Sequence, residues 1–193
     1  MTKIAIITGA SRPGSVNQSV AEWVLAQVST RDDAEFELVN IADFDLPMLD
    51  EPYPAAYQNY QNDHTKAWSA KISEFDGFIF VAHEYNHTAG PVLVNALSFL
   101  NAEFNNKAAG FVSYGSMGGV RAVEHLRGVL SELQVAHVQR SVMFSLFTDF
   151  ENFSVFAPTE QNAGTLAPMV DQLTAWSRGM ASVRTEQLAT AAA

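Results

Sequence analysis

Apolar residues follow two rhythms along the chain, and the rhythms alternate. Lys3 to Thr8 is a short apolar run of strand length. Asn17 to Val28 carries Val20, Ala21, Val24, Leu25 and Val28 at helical spacing. Phe36 to Ile41 reads as a second strand. Asp43 to His64 holds three prolines and several Asn and Tyr residues, which predicts a long loop. Thr65 to Phe75 is a predicted helix with Trp68, Ile72 and Phe75 inward. A continuous apolar run from Phe78 to Ala82 predicts a buried third strand. Helices are expected over Pro91 to Phe104 and Gly119 to Leu133, flanking a fourth strand at Ala108 to Ser113. A fifth strand is expected at Ala136 to Met143. Phe144, Phe147, Phe150, Phe153 and Phe156 then place an aromatic at every third position. A last helix is read from about Gly164 to Arg178. Residues 1–182 are read as one domain, and 183–193 as a flexible tail that ends in a disordered Ala189 to Ala193.

Five strands alternating with helices imply an α/β fold whose parallel sheet is covered on both faces. Such sheets bind ligands outside the C-terminal ends of their strands, near the switch in strand order. The loops after the first, third and fourth strands are therefore the expected site.

Composition narrows the class. The 193 residues suffice for a full core, and 48% of them are hydrophobic. No apolar run is long enough to span a membrane. The first strand starts at once, so no secretory signal is expected, and cysteine is absent. A cytoplasmic location is expected from these two features. The net charge of −10 and the lack of a basic cluster argue against nucleic acid as a partner.

The first loop, Thr8 to Gln18, is rich in hydroxyls and amides and runs into a helix. Free N–H groups and the positive end of a helix dipole attract an anion there. Ser11, Ser15 and Asn17 supply hydrogen-bond donors, and Arg12 a positive charge. Ser15 or Asn17 would also serve as a plain helix cap; four suitable groups in one loop favour a phosphate. Two known phosphate loops do not fit. Gly9 and Gly14 have the spacing of a Walker loop, but Ser15 stands where its Lys belongs. Thr8 to Arg12 is similar to the opening of short-chain dehydrogenases, yet no Tyr here is followed four residues later by Lys. After the fourth strand, Ser113-Tyr114-Gly115-Ser116-Met117-Gly118-Gly119 places three glycines before a helix, where backbone N–H groups can approach a flat or anionic ligand.

The third loop poses a choice. His83 to His87 spells H-E-x-x-H, a zinc-protease signature. That chemistry needs both histidines on one helical face. Here the motif follows a buried strand, and Pro91 marks the earliest helix start. The loop reading is preferred, and no metal site is expected.

Together the three loops resemble the NADPH-dependent FMN reductase family, which has a flavodoxin-like fold. Gly9, Ser11, Arg12, Ser15 and Asn17 stand in its G-S-x-R-x-x-S-x-N frame. Glu84-Tyr85-Asn86-His87-Thr88, followed by Leu93-Val94-Asn95-Ala96-Leu97, stands in P-E-Y-N-x-S-x-P with L-K-N-A-L. Ser113 to Gly119 matches Ser-x-Gly-x-x-Gly-Gly. Ala10 departs from the frame's Ser, His83 from its Pro and Val94 from its Lys. The resemblance implies a five-stranded parallel sheet in the order 2-1-3-4-5 and bound FMN reduced by NADPH or NADH. It implies that Ser11, Arg12, Ser15, Asn17 and Gln18 hold the phosphate. Glu84, Tyr85 and Asn86 would line the isoalloxazine through backbone groups, and Ser113, Tyr114, Gly115, Gly118 and Gly119 its other side. No catalytic side chain is implied. The expected acceptor is small: a quinone, an azo compound, a metal oxyanion or free flavin. A homodimer or homotetramer is expected, with the Asp43 to His64 loop and the Phe-rich segment as its surfaces. The competing reading is an FMN-binding electron carrier without its own NAD(P)H activity.

Overall fold

The computed structural model describes residues 1–191. The sheet is built from β1 (Lys3–Thr8), β2 (Glu35–Val39), β3 (Gly77–Tyr85), β5 (Ala108–Gly115) and β6 (Ala136–Ser145), all parallel, in the spatial order β2-β1-β3-β5-β6. This is the 2-1-3-4-5 order. A short β4 (Thr88–Ala89) pairs antiparallel with the end of β3.

Strand alternation sorts the core into two layers. Ala5, Ile7, Phe78, Phe80 and Ala82 face helices α2 (Asp63–Ser73), α3 (Pro91–Ser98) and α4 (Val120–Glu132). Ile4, Ile6, Ile79 and Val81 face α1 (Asn17–Val28) and the first half of α6 (Leu166–Ala191). Trp68 is fully buried in the first layer, and its indole N–H donates to the Ala96 carbonyl at 3.0 Å. That bond lets a large polar-tipped ring sit inside the core.

Several boundaries move from those read in the sequence. The Asp43 to His64 loop opens with a short 3-10 helix (Ile41–Phe44) and contains another (Ala55–Tyr57), and α2 begins at Asp63. Helix α3 stops at Ser98 rather than Phe104, because Leu100, Phe104 and Lys107 continue in turns. Helix α6 runs on past Arg178 to Ala191. Its second half is held by Arg184, which pairs with Asp76 and donates to the Asn106 carbonyl at 2.7 Å, and by an Asn106–Gln187 bond of 2.8 Å. The last two residues of the expected tail, 192–193, lie outside the described residues.

The Phe-rich segment is not one stripe. It comprises the end of β6, a turn and a small hairpin of β7 (Phe150–Glu151) and β8 (Val155–Phe156). Phe144 and Phe156 pack on Trp23 at 5.4 and 5.7 Å, and Phe150 is buried beside them. Phe147 and Phe153 lie 68% and 62% exposed. The segment is pinned by buried Asp149, which accepts hydrogen bonds from the backbone of Ser145 and Thr159 and the side chains of Thr148, Thr159 and Asn162. The small α5 (Glu160–Ala163) follows, capped by Thr159.

Candidate functional site

At the C-terminal end of the sheet, where β1 and β3 lie side by side and the strand order switches, three loops converge. After β1, the chain makes a turn closed by the Ser15 N–H donating to the Arg12 carbonyl at 3.0 Å, with Pro13 and Gly14 at its centre. Gly9 is required by close approach: a Cβ there would stand 2.5 Å from the Val81 carbonyl oxygen of β3. The Gly9 N–H donates to Asn17 Oδ1 at 2.7 Å, and Asn17 Nδ2 donates to the Val81 carbonyl at 2.9 Å. Asn17 is thus buried and ties the loop to β3. Its side chain is turned inward, away from the position expected of a phosphate donor.

The remaining residues of this loop do form a recess. Ser11, Arg12, Ser15 and Gln18, with Ala10, Gly14, Asn40 and Ala42, line a cleft of about 200 Å³. The N-cap residue of α1, Val16, makes no side-chain cap bond, while the Ser15 hydroxyl accepts from the Asn17 N–H at 3.3 Å. The positive end of a 12-residue helix thus lies beside the cleft, with its first N–H already engaged. Asn40 and Ala42 were not among the residues singled out from the sequence. Their placement follows from Thr8, whose hydroxyl donates to Asn40 Oδ1 at 2.9 Å and accepts from the Ile41 N–H at 3.1 Å. A second cavity of about 530 Å³ adjoins the first through Ser11 and Ala42 and is bounded by Asp45, Met48, Pro91 and Asn95. Asn95 shapes its rim by donating to the Pro47 carbonyl and accepting from the Leu49 N–H.

The third-strand loop is a hairpin. Strand β3 continues past Ala82 to Tyr85, then returns as β4, with Glu84 opposite Ala89 and Tyr85 opposite Thr88. Asn86 (φ 51°) and His87 (φ 65°) form the two-residue turn. Two successive positive φ values mark a type I′ connection, which matches the strand twist and favours Asn-Gly. The H-E-x-x-H letters thus lie on a strand and a turn. Among the described residues, no group of three or more His, Asp or Glu side chains is arranged to hold a metal.

Side chains around the hairpin fix it from both sides. The Glu84 carboxylate, almost fully buried, pairs with Arg121 and accepts from the Arg121 backbone N–H at 3.2 Å. It thereby serves as a distant cap for α4. Thr88 contacts His125 at 2.9 Å. Toward the first loop, the Tyr85 hydroxyl accepts from Arg12 Nε at 3.1 Å. Arg12 and Tyr85 thus bridge the first and third-strand loops, while Asn86 and His87 stay exposed at the tip.

The loop after β5 is packed by its own hydroxyl. Ser113 is buried and donates to the Gly118 carbonyl at 2.7 Å, so it shapes the loop and does not face the crevice. Gly119 sits at φ 74°, and a Cβ on it would stand 2.9 Å from the Tyr114 N; no side chain fits there. Gly115 lies against Glu84 of the hairpin. Tyr114 is buried beside Asn17, Ser15 and Tyr85, and burial pushes its hydroxyl pKa up, so it stays protonated through neutral pH. Of the expected site residues, the structure brings Ser11, Arg12, Ser15, Gln18, Tyr85, Tyr114 and the Glu84 and Gly115 backbones to one end of the sheet. Asn17 and Ser113 support them from beneath.

Comparison with known proteins supplies the family and the fold. A sequence model of the family described as NADPH-dependent FMN reductase matches residues 2–149. A NAD(P)H-dependent FMN reductase of a Nectria species is 37% identical over 158 residues, covering 77% of this chain and 79% of the relative. One from Schizosaccharomyces pombe is 36% identical over 135 residues, covering 69% and 68%. Among solved structures, a flavoenzyme NAD(P)H:(acceptor) oxidoreductase of Paracoccus denitrificans shares the fold with a TM-score of 0.71 at 17% identity, covering 93% of this chain and 99% of that one. An apo NADH:FMN oxidoreductase gives 0.68 at 24%, covering 90% and 89%.

Proposed function

This chain belongs to the NADPH-dependent FMN reductase family, and from that premise we propose that the converging loops hold FMN and pass electrons from a nicotinamide to a small acceptor. As a member it is an NAD(P)H-dependent enzyme with FMN as its cofactor. The observation that supports the binding mode most directly is the start of α1, whose N-cap residue Val16 makes no side-chain bond, beside a cleft lined by Ser11, Arg12 and Ser15. Those residues offer hydroxyl donors, N–H groups and one cation, the donor set a phosphate monoester needs.

The ring would lie between the Glu84–Asn86 hairpin and the Tyr114–Gly119 loop. Backbone N–H groups are the suitable contacts there, because the Glu84 carboxylate is committed to Arg121 and the Ser113 hydroxyl to Gly118. Such fixed donors stabilise negative charge without reorganising. When bound, FMN supplies the hydride chemistry. The protein's task is to hold the phosphate, orient the ring and leave one face open to the two substrates in turn.

The acceptor class we propose is a quinone, an azo compound, a metal oxyanion or free flavin. A 2-hydroxy-1,4-benzoquinone reductase of a Burkholderia species, 28% identical over 149 residues, supports the quinone member of that set. We also propose a homodimer or homotetramer. The exposed side chains of Phe147, Phe153 and Val155, and of Met48, Tyr53 and Tyr57 on the long loop, are apolar surface of the kind that association covers. Light scattering that returns a monomer mass would refute that part. The enzyme reading is tested by adding NADH or NADPH to the FMN-loaded protein without oxygen. Loss of the yellow colour, and its return on adding a quinone, is expected. A flavin that stays oxidised under both nicotinamides would leave only an FMN-binding protein.

A further inference from the structure

His83 stands where the resembled frame has proline. Counting that frame on to its final proline reaches Gly90, so this chain replaces both. The two replacements meet in space. A Cβ on Gly90 would fall within the His83 ring, against Cε1 and Nε2. Gly90 has an ordinary φ of −57°, so its backbone does not demand glycine; the imidazole does. His83 is 4% exposed, and its ring stands edge-on to Tyr85 at 4.2 Å, with Tyr114 at 6.2 Å. The Tyr85 hydroxyl in turn accepts from Arg12 Nε.

We propose that His83 is a positioning residue for the cofactor phosphate: in the space Gly90 leaves free, it seats the Tyr85 ring, which holds Arg12 at the cleft of Ser11 and Ser15. The proposal rests on the FMN reading above. An arginine on an exposed loop loses much rotamer freedom when it grips an anion, and a tether that fixes it beforehand raises affinity without touching the ligand. Burial, and then the nearby Arg12 charge, hold the His83 pKa below the usual histidine value, so the ring packs as a neutral body beside the guanidinium. Its Nδ1 has no partner among the described residues. A buried nitrogen left unpaired lowers stability, which fits a residue placed for the site rather than for the core.

The test titrates flavin fluorescence with FMN and, separately, with riboflavin, which carries the same ring without the phosphate. His83→Ala is expected to weaken FMN binding about tenfold, part of the strength of a charged hydrogen bond, and riboflavin binding less than about twofold. Tyr85→Phe should weaken FMN similarly, and the double variant should be no weaker than the worse single one, because both act on Arg12. Gly90→Ala drives the ring from its seat and should reproduce the selective loss even where His83→Ala does not fold. Equal loss of FMN and riboflavin, additive effects of His83→Ala and Tyr85→Phe, or unchanged FMN affinity in both His83→Ala and Gly90→Ala would overturn the inference. Wild-type protein that leaves FMN fluorescence unchanged would instead overturn the FMN reading beneath it.

Discussion

The two ends of the sheet are built on opposite terms. At the N-terminal end, the charged side chains of Asp76, Arg184 and Lys107 have partners. Asp76 accepts from the Lys3 N–H at 3.0 Å and pairs with Arg184, which also donates to the Asn106 carbonyl. Lys107 is buried, donates to the Ile72 carbonyl at 3.0 Å and lies over the Phe78 ring. At the C-terminal end, the N-cap residue of α1 makes no side-chain bond, Arg12 is exposed, His83 carries an unpaired nitrogen and Asn86 and His87 hold positive φ. The charges named at one end are committed to contacts that fold the chain. At the other, an exposed arginine and the start of a helix meet at a cleft, as in ligand sites. Charge in the sequence therefore does not mark function by itself: even at the cleft, Glu84 and Arg121 pair with each other, whereas Arg12 reaches a tyrosine hydroxyl and a backbone carbonyl and faces no carboxylate.

Substitutions should separate the two ends. The largest stability loss is expected at the paired end: Asp76→Ala should cost about 2–4 kcal/mol in urea unfolding, because it strips partners from Arg184 and the Lys3 N–H. FMN affinity should stay within about twofold. Arg12→Ala should do the reverse, weakening FMN binding by about 1.5–3 kcal/mol with unfolding unchanged within about 0.5 kcal/mol. Loss of stability in Arg12→Ala would show that the open end is structural after all.

A smaller effect is tied to pH. Burial, and then Arg184, pull the Lys107 pKa down to about 8. The unfolded chain keeps this proton up to the ordinary lysine range, so between those values it binds more protons than the folded state. Stability should therefore rise with pH from about 8 toward about 10.4, by at most about 1.4 kcal/mol per unit. Half-buried Tyr60 and buried Tyr114, whose pKa values are raised, oppose this at higher pH, so the informative quantity is the difference from Lys107→Met. Equal slopes in the two proteins would refute the assignment. The smallest effect is expected at the hairpin tip. His87→Gly relieves a positive φ and should raise unfolding free energy by about 0.5–1 kcal/mol.

The same contrast explains what the sequence could tell. Strands β1, β3 and β5 announce themselves, because a sheet covered on both faces needs unbroken apolar runs. The glycine and hydroxyl loops were legible for a related reason: Gly9 and Gly119 stand where no Cβ fits. The hairpin end of β3 was hidden, since His83-Glu84-Tyr85 is polar and an Asn-His turn lacks the usual glycine. Asn17 and Ser113 carried the right chemistry but point inward, a choice made by the Val81 and Gly118 carbonyls far away or across a turn. The Phe-rich segment has a three-residue period, yet Phe147 and Phe153 face out while Phe144 and Phe150 face in, because buried Asp149 breaks the strand into a turn and a hairpin. The second half of α6 depends on Asp76 and Asn106, over 70 residues away in sequence, and such pairings leave no local periodicity to read.

The central claim is that the C-terminal end of the sheet is an FMN site whose phosphate is held by Arg12. A fluorescence titration of FMN against wild type, Arg12→Ala and Asp76→Ala tests it most directly. The account predicts saturation at one FMN per chain for wild type and Asp76→Ala, and an affinity about tenfold or more lower for Arg12→Ala. Equal affinity in wild type and Arg12→Ala, or no binding to wild type at all, would contradict it.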